Sequence, residues 1–197
     1  MIEMELVNKK LDATQQKLLK NLIGQKLETI EGSFIFGGMK AWNTVRFHTS
    51  EFSLDVNLFR ESIPMDDKGS LDETGIFSVT NALKEELRVT TVPTEVTRKM
   101  ISKKITQIRI FESEIKYFKN GNQYFQNNIT KAIAFKLGDE WMVLDRQVWF
   151  DETIEVTFCF DVFAGIKDDK EDWQNGEDDE NNNGVLTMSY NLTSYEV

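Results

Sequence analysis

The sequence predicts a mostly β protein: an antiparallel β-barrel or two-sheet sandwich of about nine or ten strands with one N-terminal helix. Three observations carry this. Apolar residues alternate at period two over most of the chain after Gly24. Asn120-Gly121 and Gly138-Asp139 interrupt such runs where hairpin turns belong. Fourteen phenylalanines in 197 residues favour strands over helices. The length suits a single domain with its own core. It divides into a helical segment (1–24), an antiparallel β core (25–166), an acidic loop (167–184) and a C-terminal strand (185–197).

Residues 11–23 carry the helix. Leu11, Leu18, Leu19, Leu22 and Ile23 approximate one apolar stripe, with polar Gln15 in one slot. Asp12 or Thr14 can cap its start, and Gly24 suits the left-handed residue that ends it. Residues 26–31, 33–36, 41–48 and 52–60 then read as consecutive strands. A turn at Thr49-Ser50 sets Phe47 opposite Phe52 and Val45 opposite Leu54, so one face is apolar. The other face collects Trp42, Arg46 and His48, with Asp55 diagonally across, and is expected to meet solvent.

Residues 62–75 read as a polar loop, 79–87 as a short helix and 89–92 as a strand. The Asn120-Gly121 hairpin places Tyr117 opposite Tyr124. The Gly138-Asp139 hairpin places Phe135 opposite Met142 and Ile133 opposite Leu144. Residues 153–163 give an inner row of Ile154, Val156, Phe158, Phe160 and Val162, and Leu186, Met188, Tyr190 and Leu192 make a last strand.

The charge is −10, and residues 167–184 hold eight acids against two lysines, so −6 of it lies in that segment. A general nucleic-acid binder needs a basic face. The nearest feature is Arg98, Lys99, Lys103, Lys104 and Arg109, which reads as a solvated sheet edge. Nucleic acid is therefore not an expected partner. No apolar run is long enough to span a membrane and no signal-peptide pattern opens the chain, so a cytoplasmic protein is expected.

Several chemistries fail on composition. One histidine and one cysteine cannot build an ordinary Cys/His zinc site, and Cys159 between Phe158 and Phe160 reads as a small buried hydrophobe. No G-x-S-x-G marks a nucleophile. The run from Gly32 to Lys40 has Gly38 where a P-loop needs lysine. Glu112 and Glu114 lie on one strand rather than across a cleft. Asp179, Asn181, Asn183 and Gly184 open like an EF-hand loop, but the closing position is Tyr190 instead of glutamate. No metal and no cofactor is expected.

Two function classes remain. The first is a non-enzymatic binding module for another protein, one with a basic surface, in the manner of an inhibitor or immunity protein. Its contact residues would be Trp173, isolated within the acidic loop, with Tyr117 and Tyr124. The second is a small-molecule binder or enzyme with a site at a barrel mouth. Trp42, Arg46, His48 and Asp55 could there receive an anionic ligand. A deep pocket lined by Trp42, Trp141 or Trp149 favours the second class, and a filled core with an aromatic patch favours the first.

Overall fold

A computed structural model describes residues 5–35, 40–64, 71–82, 95–146, 152–167 and 186–197. The expected strand at 89–92, the hairpin-flanking Trp149 and the loop residue Trp173 lie outside them, as does most of the expected helix at 79–87.

The protein is mostly β. One sheet of ten strands holds β1 (Glu5–Lys9), β2 (Lys26–Ile35), β3 (Lys40–Thr49), β4 (Ser53–Pro64), β5 (Leu71–Asn81), β6 (Thr97–Lys119), β7 (Asn122–Leu137), β8 (Glu140–Arg146), β9 (Thr153–Cys159) and β10 (Leu186–Glu196). The path β7-β8-β9-β3-β2-β6 returns to β7, so six strands close into an antiparallel ring. The other four extend it: β10 on β6, β1 parallel on β7, and β4 on β3 with β5 beyond.

Two long strands make this possible by changing neighbours. On one edge β6 pairs β2 through residues 97–104 and β10 through 109–119. Likewise β3 pairs β9 through residues 40–42 and β4 through 44–48. Irregularities fall at the transfers: Ser102 and Asn43 both take positive φ, and register shifts occur beside them.

The ring is filled. All six of its strands send buried side chains inward, among them Leu27, Ile30, Val45, Phe47, Ile108, Ile110, Ile133, Phe135, Met142, Leu144, Ile154 and Val156. Phe47 and Phe135 meet with ring centroids 4.7 Å apart. Leu54, Val56, Leu58, Phe77 and Val79 from β4 and β5 join the same core. So do Leu11, Leu19 and Leu22 around α1 (Ala13–Lys20). Asp12 caps α1 by accepting from the Gln15 N–H at 2.8 Å, and Gly24 (φ 89°) turns the chain into β2. The polar slot in the helical stripe has a use. The Gln15 carbonyl accepts the Val79 N–H at 3.0 Å, satisfying a donor on the outer edge of β5.

Several expectations need correction. The two strands expected over 26–36 are one, continuous through Gly32 and Ser33. The turn after β3 is centred one residue later, because the Thr49 hydroxyl accepts from Glu51 and Phe52 and donates to the Phe52 carbonyl. Phe47 therefore pairs Leu54 and Val45 pairs Val56, which leaves the apolar face unchanged. In the first hairpin Asn120 and Gly121 do take positive φ, but Tyr124 is an extra residue and Tyr117 pairs Phe125. The second hairpin pairs as expected, Phe135 with Met142 and Ile133 with Leu144. The supposed loop at 62–75 is largely the ends of β4 and β5, and Val79 lies in β5 instead of a helix. The segment before α1 contains β1. Residues 97–104 are bonded to β2 along one edge, not a wholly free edge.

The expected core row on β9 holds only halfway. Ile154 and Val156 are buried, but Phe158 is 39% and Phe160 80% exposed. From Val156 to Cys159, the pairing of β9 among the described residues is with β8 alone. Asp161 then accepts the Phe163 N–H at 3.0 Å and starts a 3-10 turn at Val162–Gly165. That turn sends Val162 to the outside of the ring, where Phe111, Ala132, Ala134, Trp141 and Val143 form a second small core.

Candidate functional site

Three places concentrate chemistry among the described residues. The first is a polar row across the outer faces of β2, β3, β4 and β6. Strand alternation sets Glu31, Arg46 and Asp55 side by side, because Glu31 pairs Arg46 and Arg46 pairs Asp55. The Arg46 guanidinium grips Asp55 with two bonds, Nε to Oδ1 at 2.7 Å and an Nη2 bond to Oδ2 at 2.9 Å. The hydrogen bonds that Arg46 donates to Asp55 raise its pKa further, against burial. Thr44 donates to Asn57 at 2.9 Å, and Asn57 donates to Thr80 at 3.3 Å.

His48 sits at the open end of this row. Its Nε2 is 2.6 Å from Glu31 Oε2, and its Nδ1 is 2.9 Å from Ser53 Oγ. Arg98 Nε donates to the same Glu31 oxygen at 2.9 Å. Burial pushes the Glu31 carboxyl up, but hydrogen bonds from His48 and Arg98 outweigh it and hold it below its ordinary range. An ionised Glu31 accepts only, so it fixes hydrogen on Nε2. Nδ1 accepts the Ser53 hydroxyl when the imidazole is neutral and donates to it when the imidazole is charged. Ser53, His48 and Glu31 thus form a hydroxyl–imidazole–carboxylate chain.

The structure brings Arg46, His48 and Asp55 together, as the sequence suggested, with Arg46 directly opposite Asp55. Their face is not open to solvent as expected: Arg46 and Asp55 are buried. Trp42 is half-buried on the same strand and pairs Ser33 and Thr153, beyond the irregularity at Asn43. The other expected contact residues differ. Tyr117 and Tyr124 are each only 8% exposed, packed with Phe125, Ile115, Ile129, Val7 and Ile63 under the projecting β6–β7 hairpin. Glu112 and Glu114 serve separate partners. Glu112 binds Lys10 at 2.6 Å and accepts from Tyr195 at 2.9 Å, and Glu114 binds Lys116 at 2.7 Å. Burial, then the Glu112 carboxylate, raises the Tyr195 pKa.

The second place is the ring's end at β9. Phe160 and Phe163 (56% exposed) stand out with Phe158 within six residues. Phe160 borders an open groove of about 520 Å³ with Lys103, Lys104, Leu137 and Glu140. Lys103 is paired to Glu140. Phe163 is held edge-on to Phe111, centroids 5.6 Å apart. Trp141 does not line this groove. It is buried on the outside of β8 beneath Arg109 and Lys136.

The third place is internal. Lys131, Asp145 and Arg146 are all buried. Lys131 Nζ lies 3.0 Å from Asp145 Oδ1 and donates to the Arg146 carbonyl at 2.5 Å, and Arg146 donates to the Gly75 carbonyl at 3.2 Å. Asp145 also accepts the Lys167 N–H at 3.0 Å. Burial pushes its pKa up to about 6 against the pull of Lys131. This cluster ties β7, β8 and β5 to Lys167, two residues past the 3-10 turn.

Glu31 was not singled out in the sequence, Arg98 was read only as part of a basic sheet edge, and no local motif joins either to His48 and Ser53. Comparison with protein-family profiles, with characterised proteins and with solved structures gives no match in any of the three. Among the described residues, no helix is long and apolar enough to cross a membrane, and no group of three or more metal-ligating side chains occurs.

Proposed function

We propose that this chain is a non-enzymatic binding module for another protein, contacted through the end of the ring at Phe160 and Phe163. The observation that carries this reading is the pairing of a filled interior with exposed aromatic rings on a short, pinned segment. Large apolar rings in water cost free energy unless a partner covers them. Aromatic anchors of this kind dominate many protein interfaces. The net charge of −10 favours a partner with a basic surface, by faster encounter more than by tighter contact. The test is affinity purification from the native host with wild type and with Phe160→Ser/Phe163→Ser. A specific protein held by wild type and lost from a variant of unchanged melting temperature supports the reading. Equal capture by both contradicts it.

A second reading rests on the Ser53–His48–Glu31 order. In it Ser53 Oγ attacks an acyl carbon while its proton passes to His48 Nδ1, and that proton then leaves with the departing group. An acylating or fluorophosphonate probe should label Ser53, and lose the site in Ser53→Ala and His48→Gln. Absence of labelling removes this reading.

A further inference from the structure

We infer that β10 is a self-association edge, pairing antiparallel with β10 of a second copy of this chain to join two sheets into one. The strand is eleven residues long and pairs β6 without a single register shift, so it is straight and regular. On its outer edge no strand of the described residues pairs with it. Edge strands normally carry a device against strand addition: lysines, a proline, a bulge, or very short length. Leu186–Glu196 has none of these, and its only charged residue is Glu196 at the very end. By contrast, the edge of β5 receives the Gln15 side chain on Val79.

The occupant follows from charge and symmetry. Full overlap of residues 186–196 with themselves in antiparallel order puts Asn191 opposite its own copy. Ser189 then faces Thr193, and Glu196 faces Leu186. No like charges meet, and the hydroxyl and amide side chains form favourable cross-strand pairs. The orientation also separates the acidic residues 167–184 that precede the strand in each chain. Antiparallel pairing sets the two Leu186 residues about 34 Å apart along the ribbon, several times a Debye length of about 8–10 Å. A parallel pair would set the two Leu186 residues, where the chain enters each strand, side by side. The result is an isologous two-fold contact, the commonest arrangement of homodimers.

Sedimentation velocity over a concentration series tests this on the full chain. Wild type should pass from the chain mass of 22.9 kDa to twice that value as concentration rises. Asn191→Lys sets like charges face to face on the two-fold axis and should stay monomeric, with an unchanged circular dichroism melt. Asn191→Cys should form an intermolecular disulfide under mild oxidation, whereas wild type, whose only cysteine is Cys159, should not. Wild type monomeric at every concentration overturns the inference. So does a dimer that Asn191→Lys leaves intact, or an Asn191→Cys that does not cross-link.

Discussion

At the residue scale, burial decides which phenylalanines hold the protein together. Phe47 is wholly enclosed against Phe135, so Phe47→Ala should cost about 3–5 kcal/mol in denaturant titration. Phe160→Ala should stay within about 0.5 kcal/mol of wild type, since its ring already meets water. Gly165 is constrained from the other direction. A Cβ there would come within 2.7 Å of Val143 Cγ2 and 3.1 Å of Cys159 Sγ. Valine is stiff at χ1 and buried, so Gly165→Ala should destabilise by about 1–3 kcal/mol. Two carboxylates set opposite pH trends. Asp145 has a raised folded pKa of about 6, so its stabilising contribution is complete below the ordinary value of 3.8 and is lost as pH rises through 6. Glu31 is held low, so its contribution is present above 4.5 and is lost as pH falls through its folded value. Thermal melts from pH 3 to 7 should therefore show Asp145→Asn flattening the interval between about 4 and 6, and Glu31→Gln flattening only the more acid limb.

At the element scale, what was legible in the sequence was local. Asn120-Gly121 marks a hairpin because few other pairs accept positive φ at both positions, and Gly138-Asp139 because Gly138 accepts it at the first; both lie at hairpin tips. Asp12 as a cap and the shared inner face of Val45, Phe47 and Leu54 were equally readable from spacing. The misses needed information from distant parts of the chain. The continuity of β2 depends on partners from β3 and β6 on either side of Gly32. The exposure of Phe158 depends on what packs over the last residues of β9, which alternation cannot reveal. Glu31, His48, Ser53 and Arg98 meet only because β3 pairs both β2 and β4 while β2 also pairs β6, a register set by distant strands. The cap offers a simple check on the local part. Asp12→Ala should lower the midpoint of thermal or denaturant melts by removing the acceptor for the Gln15 N–H.

At the scale of the whole molecule, the closed ring leaves the sheet's edges to the strands that extend it, and among the described residues its interior is packed with apolar side chains. Binding is then left to the surface. Besides the β10 edge, two regions compete for a different partner: the aromatic end around Phe160 and the polar row around His48. Hydrogen-exchange mass spectrometry on the chain with and without its captured partner separates them most directly. The account predicts new protection in peptides covering residues 137–140 and 158–166, with residues 44–57 unchanged. Protection confined to residues 44–57, with the end of the ring exchanging as it does in the free chain, would contradict it.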